Sequence, residues 1–139
     1  MMIALEPQNA HVLVVEDDPD NRTVIERLLR MAGVNPSLFI SIEGDAAAYL
    51  AASGEIFDLV FLDLQLPKKD GYAVLSELRA DPRLASTRVV ALTANVTRRE
   101  VEHCRETGFD GFIGKPIDGR HFSAYLRMIL QGEAVWTED

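Results

Sequence analysis

A doubly wound α/β domain with a parallel sheet is the architecture this sequence predicts, and three observations predict it. Five short apolar runs lack the in-out alternation of a half-exposed strand, as expected of strands buried on both faces. A segment with helical character follows each run, so strand and helix alternate along the chain. Capping residues, prolines and glycines stand where one element gives way to the next. The 139 residues, 47 % of them hydrophobic, suffice for one core and not for two ordinary domains.

Residues 1–10 carry Pro7 and read as a flexible lead-in to a domain spanning residues 11–131. Val12 to Val15 is the first strand. Asp18 then caps a helix that Pro19 opens, because aspartate suits the cap and proline the first helical position. Its apolar positions are Val24, Ile25, Leu28, Leu29 and Met31, and Gly33 stops it. Leu38 to Ile40 and the alanine-rich stretch Ala46 to Ala52 repeat the unit, closed by Ser53-Gly54. Leu59 to Leu62 is the third strand, and Val74, Leu75 and Leu78 mark a helix ending near Asp81-Pro82. Arg88 to Thr93 is the fourth strand. Thr97 caps the next helix, with Val101 and Cys104 inside and Gly108 at its end. Phe109 to Ile113 is a fifth strand. Beyond Lys115-Pro116 the residues Phe122, Tyr125, Leu126, Ile129 and Leu130 give the clearest amphipathic helix of the chain. Residues 132–139 read as a short frayed tail, in which Trp136 is either a docking anchor or, the preferred reading, a disordered residue.

Composition excludes several functions. No 18-residue apolar run and no basic leader followed by a long apolar stretch occur, so the expectation is a soluble cytoplasmic protein without a membrane segment. The net charge of −8 and the lack of a Lys/Arg block argue against nucleic acid as a partner. The single cysteine, Cys104, forms no internal disulfide and reads as a small buried hydrophobe. His11, His103 and His121 show no zinc-ligand spacing.

In a doubly wound sheet, ligands bind outside the carboxyl ends of the strands. Here those ends carry Glu16-Asp17 after the first strand, Asp63 after the third, Thr93 on the fourth and Lys115 after the fifth. Each has an ordinary explanation alone: a strand-end hydroxyl, a solvated charge, a helix cap close by. Together they have another. Two carboxylates 4 Å apart repel by about 4 kcal/mol at an effective dielectric near 20, so three of them call for a cation. Hard oxygen ligands with positions left for water and phosphate suit Mg²⁺. A lysine and a hydroxyl beside the metal suit a phosphoryl group, and aspartate is a known nucleophile in phosphoryl transfer.

Glu16-Asp17, Asp63, the L-P-x-x-D-G that follows it, Thr93-Ala94 and Lys115-Pro116 resemble, in order and position, the receiver domain of two-component response regulators. The resemblance covers roughly residues 11–130. It implies a flavodoxin-like (βα)5 fold with strand order 2-1-3-4-5; with the last helix ending near Leu130 only nine residues remain, so a stand-alone receiver of the single-domain type is expected. It implies Asp63 as phosphoacceptor, taking its phosphoryl group from a sensor histidine kinase or histidine phosphotransfer protein. Mg²⁺ is then held by Glu16, Asp17, Asp63 and the backbone carbonyl of Gln65, while Lys115, Thr93 and Ala94 bind phosphate. Thr93 and Phe112 form the switch, Pro116 is a cis-proline candidate, and the face of the fourth helix, fifth strand and fifth helix meets a downstream protein. The resemblance further implies a monomer or phosphorylation-linked homodimer that catalyses only its own phosphorylation and dephosphorylation. Glu16, where many relatives carry Asp, lengthens one metal arm. The competing reading is a Mg²⁺-dependent aspartyl-phosphate phosphatase or phosphotransferase; such enzymes usually carry a second Asp as general acid where this chain has Gln65.

Overall fold

A computed structural model describes residues 5–67 and 69–137. Among these, five strands run β1 (Val12–Val15), β2 (Phe39–Ile42), β3 (Leu59–Asp63), β4 (Arg88–Thr93) and β5 (Gly111–Gly114). They form one parallel sheet in the order β2-β1-β3-β4-β5. The helices α1 (Pro19–Met31), α2 (Ala46–Ser53), α3 (Gly71–Arg79), α4 (Arg98–Thr107) and α5 (Phe122–Leu130) are the crossovers. The strand order reverses between β1 and β3, which places the ends of these two neighbouring strands at the switch point.

Strand periodicity sorts the core into two layers. Val12, Val14, Leu59, Phe61, Val90, Leu92 and Ile113 pack toward α1 and α5 with Ile25, Leu29, Phe122, Leu126 and Ile129. Leu13, Val15, Val60, Leu62, Val89, Ala91 and Phe112 face the other way, against Leu50, Leu75, Leu78, Val101 and Cys104 of α2, α3 and α4. Every residue of β1 and β3 is buried, which explains why their apolar runs do not alternate.

Local chemistry sets the boundaries. The Asp18 carboxylate accepts from the N–H groups of Asp20 and Asn21, with Pro19 as first helical residue. Asp45, Asp70 and Thr97 cap α2, α3 and α4 in the same manner. Gly71 lets α3 begin hard against the end of β3: a Cβ there would lie 2.8 Å from Leu64 Cα. This close approach sets the start of α3 directly against Leu64, the residue after Asp63.

Several expectations are corrected. β2 begins at Phe39 because Pro36–Leu38 forms a 3-10 turn, capped by the Asn35 side chain accepting from Ser37 N. β5 begins at Gly111 because Phe109 N donates to Cys104 O and still belongs to the end of α4. Val24 and Met31 are exposed, at 50 % and 74 %. The buried stripe of α1 is Ile25, Leu28, Leu29 and Ala32, and residues 24 and 31, seven apart, lie together off that stripe. The described part of the lead-in is packed: Pro7 and Ala10 are buried and Leu5 lies against the core, whereas residues 1–4 fall outside the described residues. Trp136 is not disordered but bridges to Phe112 alongside β5, because the outward backbone groups of an edge strand need partners. Residues 138 and 139 fall outside the described residues. Cys104 is free and fully buried. Among the described residues no helix is long and apolar enough to cross a membrane.

Candidate functional site

The carboxyl ends of β1, β3, β4 and β5 lie side by side along one edge of the parallel sheet. Asp63 is the last residue of β3 and only 4 % exposed, while Glu16, just past β1, is 1 % exposed. Such burial of acids demands partners. Lys115 supplies them: its Nζ donates to Glu16 Oε1 at 2.7 Å and lies 3.1 Å from Asp63 Oδ2. The other oxygen of Asp63, Oδ1, accepts from Gln65 N at 2.9 Å. Lys115 is aimed inward from the β5–α5 connection, where its own N–H donates to Thr93 O at 2.7 Å and its peptide bond to Pro116 is cis.

These contacts divide the two acids into different roles. Burial disfavours the charge of Asp63, but Glu16, the Gln65 N–H and Lys115 together hold its pKa below the ordinary carboxylate value. Glu16 moves the other way, because burial and the adjacent Asp63 outweigh the lysine. Lys115 is itself buried, which favours its neutral form, yet its two acidic partners keep its pKa above the usual lysine value. Asp63 therefore stays the more readily ionised of the pair, the state a nucleophile requires.

Asp17 is half-buried, and its Oδ1 accepts from Gly44 N at 3.3 Å. Beside it opens a cleft of about 580 Å³ lined by Asp17, Glu43, Gly44, Asp45, Leu66 and Lys69. Thr93 is buried and its Oγ1 accepts from Asn95 N at 3.0 Å, while Ala94 is exposed. Phe112 is fully buried on the α4 side of the sheet. Glu16, Asp63 and Lys115 are thus in direct contact, with Asp17 and Thr93 at the neighbouring strand ends. Among the described residues no three His, Cys, Asp or Glu side chains sit in a metal-ligating arrangement; Lys115 lies between Glu16 and Asp63 instead.

One contributor escaped sequence reasoning. Arg22, on the second turn of α1, donates from one terminal nitrogen to the carbonyls of Glu16 at 2.8 Å and Asp17 at 3.0 Å. No residue pattern signals a side chain that acts on backbone carbonyls. The same nitrogen lies 3.6 Å from Glu43.

The fold and this acid-lined cleft define a doubly wound α/β protein with a lysine-bridged carboxylate site at its switch point. The chain belongs to the response regulator receiver domain family, whose pattern matches residues 12–127. It is 36 % identical over 110 residues to the osmosensing histidine protein kinase SLN1 of Saccharomyces cerevisiae, covering 76 % of this chain but 9 % of that protein. It is 31 % identical over 133 residues to the response regulator Rcp1 of a Synechocystis species, covering 91 % of this chain and 88 % of that one. Among solved structures it is similar to the receiver domain of the sensor histidine kinase PA1611 of Pseudomonas aeruginosa, described with a magnesium ion coordinated in its active-site cleft. That match has 31 % identity and a TM-score of 0.66 and covers 88 % of this chain and 94 % of the other. The chemotaxis response regulator CheY4 of Vibrio cholerae shares the fold, with a TM-score of 0.75, 21 % identity, and coverage of 86 % and 98 %.

Proposed function

We propose that this chain accepts a phosphoryl group on Asp63 from a phosphohistidine of a sensor histidine kinase or histidine phosphotransfer protein. The observation that carries this reading is the pairing of Asp63: a buried carboxylate at the end of β3 that accepts from the Gln65 N–H and lies 3.1 Å from the Lys115 ammonium, which also holds Glu16. In the transfer an Asp63 oxygen forms a bond to phosphorus, the P–N bond to the donor imidazole breaks, and the imidazole leaves with the electron pair. Lys115 offsets charge on the transferring oxygens, and the Thr93 hydroxyl stands at the adjacent strand end to donate to one of them.

The donor set suits Mg²⁺. Glu16, Asp17 and Asp63 offer hard carboxylate oxygens at adjacent strand ends, and the backbone carbonyl of Gln65 follows two residues after Asp63. A pair of acids whose proton affinities are driven apart by proximity is short of positive charge even with Lys115 present. When bound, the metal supplies the charge that neutralises developing negative charge on the transferring oxygens.

The test is incubation with acetyl phosphate with and without Mg²⁺, followed by intact mass and site mapping. One phosphoryl group on Asp63, formed only with the divalent cation, is the expected result. Modification elsewhere, or none, overturns the assignment.

Removing the lysine gives a second expectation. Lys115→Met leaves Glu16 and Asp63 facing each other without a cation and takes away a positive charge that opposes the metal. Mg²⁺ should therefore raise the melting temperature of the variant more than that of the parent protein. A ligand that binds only the folded state at one hundred times its Kd stabilises by about 2.7 kcal/mol. Equal shifts in the two proteins would show that Lys115 and the cation do not compete.

A further inference from the structure

Residues 135–137 run along the outer edge of β5. Phe112 N donates to Val135 O at 2.7 Å, and Thr137 N donates to Phe112 O at 3.0 Å. The pairing is parallel, with Trp136 opposite Phe112. Gly114 N then donates to Thr137 Oγ1 at 2.8 Å. Side chains alternate as in a strand. Val135 is buried in the layer of α1 and α5, and Trp136 packs against the layer of α4, where the Arg105 guanidinium lies 4.9 Å from its ring centroid. The segment is a short added strand seated between α4 and α5. β5 is shaped to receive it: a Cβ at Gly111 would lie 2.9 Å from Val135 O.

The same stretch of β5 reaches the phosphoryl site. Phe112 and Gly114 donate their N–H groups to the added strand, Lys115 donates its own to Thr93, and the Lys115 ammonium lies against Asp63. Neighbouring backbone groups of one strand are thus held by the C-terminal segment on one side and by the site on the other. A change in how Lys115 and Thr93 are held shifts Gly114 and Phe112, and with them the hydrogen bonds that seat the segment.

We propose that the outer edge of β5 is a strand-accepting groove for an extended peptide, filled in cis by residues 135–137, and that phosphorylation of Asp63 loosens this occupant. The C-terminal segment is then a strap over the face between α4 and α5, and its release frees that face. The inference rests on the assignment of Asp63 as phosphoacceptor. Because coupling between two sites is reciprocal, a strap weakened by mutation makes the activated state easier to reach.

Hydrogen exchange on the full chain tests the release, with phosphoryl content measured by mass on the same sample. The expected result is faster exchange at the Phe112 and Thr137 amides and a shifted emission of Trp136, the single tryptophan, on adding acetyl phosphate and Mg²⁺. Neither change is expected in Asp63→Asn. A phosphorylated sample with unchanged protection at both amides overturns the strap and leaves the phosphoacceptor intact. A sample that takes up no phosphoryl group fails one step earlier and removes both. Reciprocity is read by calorimetry with beryllofluoride and Mg²⁺ on Arg105→Ala, an exposed helical position, and on Gly111→Ala. Tighter binding than the parent is expected of a coupled strap, by about two- to fivefold in Arg105→Ala, the most that loss of an exposed cation–π contact allows. Unchanged affinity in Arg105→Ala, a variant whose change lies on the surface, counts against coupling even where Gly111→Ala fails to fold.

Discussion

Asp63→Asn is expected to take up no phosphoryl group from acetyl phosphate and Mg²⁺, under conditions that label the parent protein to one group per chain. The amide keeps the volume of the carboxyl and can still accept from Gln65 N, so the β3 end retains its shape. It lacks the anionic oxygen that the proposed attack on phosphorus requires. Lys115 keeps its 2.7 Å contact with Glu16, so the lysine is not orphaned. The fold should lose nothing. Glu16 has its proton affinity raised first by burial and then by Asp63, and taking away that neighbouring charge lets Glu16 ionise more easily against the lysine. A melting temperature at neutral pH equal to or above that of the parent is the second half of the expectation, read from a thermal melt beside the mass spectrum. Residual labelling of a folded Asp63→Asn would place the nucleophile elsewhere.

The largest structural loss is expected from Phe61→Ala. Phe61 sits in the middle of β3, is 1 % exposed, and meets the ring of Phe122 with centroids 5.9 Å apart. Strands flank it on both sides, so the surrounding sheet has little room to collapse into the vacated volume. Large-to-small changes of this kind cost about 3–5 kcal/mol, a large share of the roughly 5–15 kcal/mol that holds a domain together. Urea denaturation should show a lower midpoint with an unchanged slope. A loss below about 1 kcal/mol would contradict the packing of β3 against α5, since such a loss belongs to surface substitutions.

The legible and the illegible parts of this protein divide along physical lines. β1 and β3 were readable because burial on both faces leaves no choice but continuous apolar residues, and an acid that interrupts such a run stands out. Asp18, Thr97 and Pro19 were readable because a cap needs a particular side chain at one position. Asp63, Glu16 and Lys115 could be nominated as strand ends, but their meeting depends on the strand order, which came from a resemblance. The edges were harder. β2 slipped because Leu38 is as apolar as Phe39, and only the turn at Pro36 distinguishes them. Met31 deceived because a single exposed apolar residue on a helix carries no signal. Trp136 was missed because a three-residue stretch paired along an edge is too short to show a period. Its partner is β5, whose need for an edge partner is a tertiary fact.

Arg22 takes no part in any bond that forms or breaks, yet it governs tolerance. By holding the carbonyls of Glu16 and Asp17 from outside the cleft, it fixes the two peptide planes from which the acid side chains project. In the proposed phosphoryl transfer, an error of an ångström in such a placement would be felt even with nothing in the cleft changed. A lysine could reach the same carbonyls only as a point charge, without the planar guanidinium whose one terminal nitrogen donates to both. The precision of this site is thus lodged partly in a helix that the chemistry never touches, and a catalogue of reacting groups would pass over it.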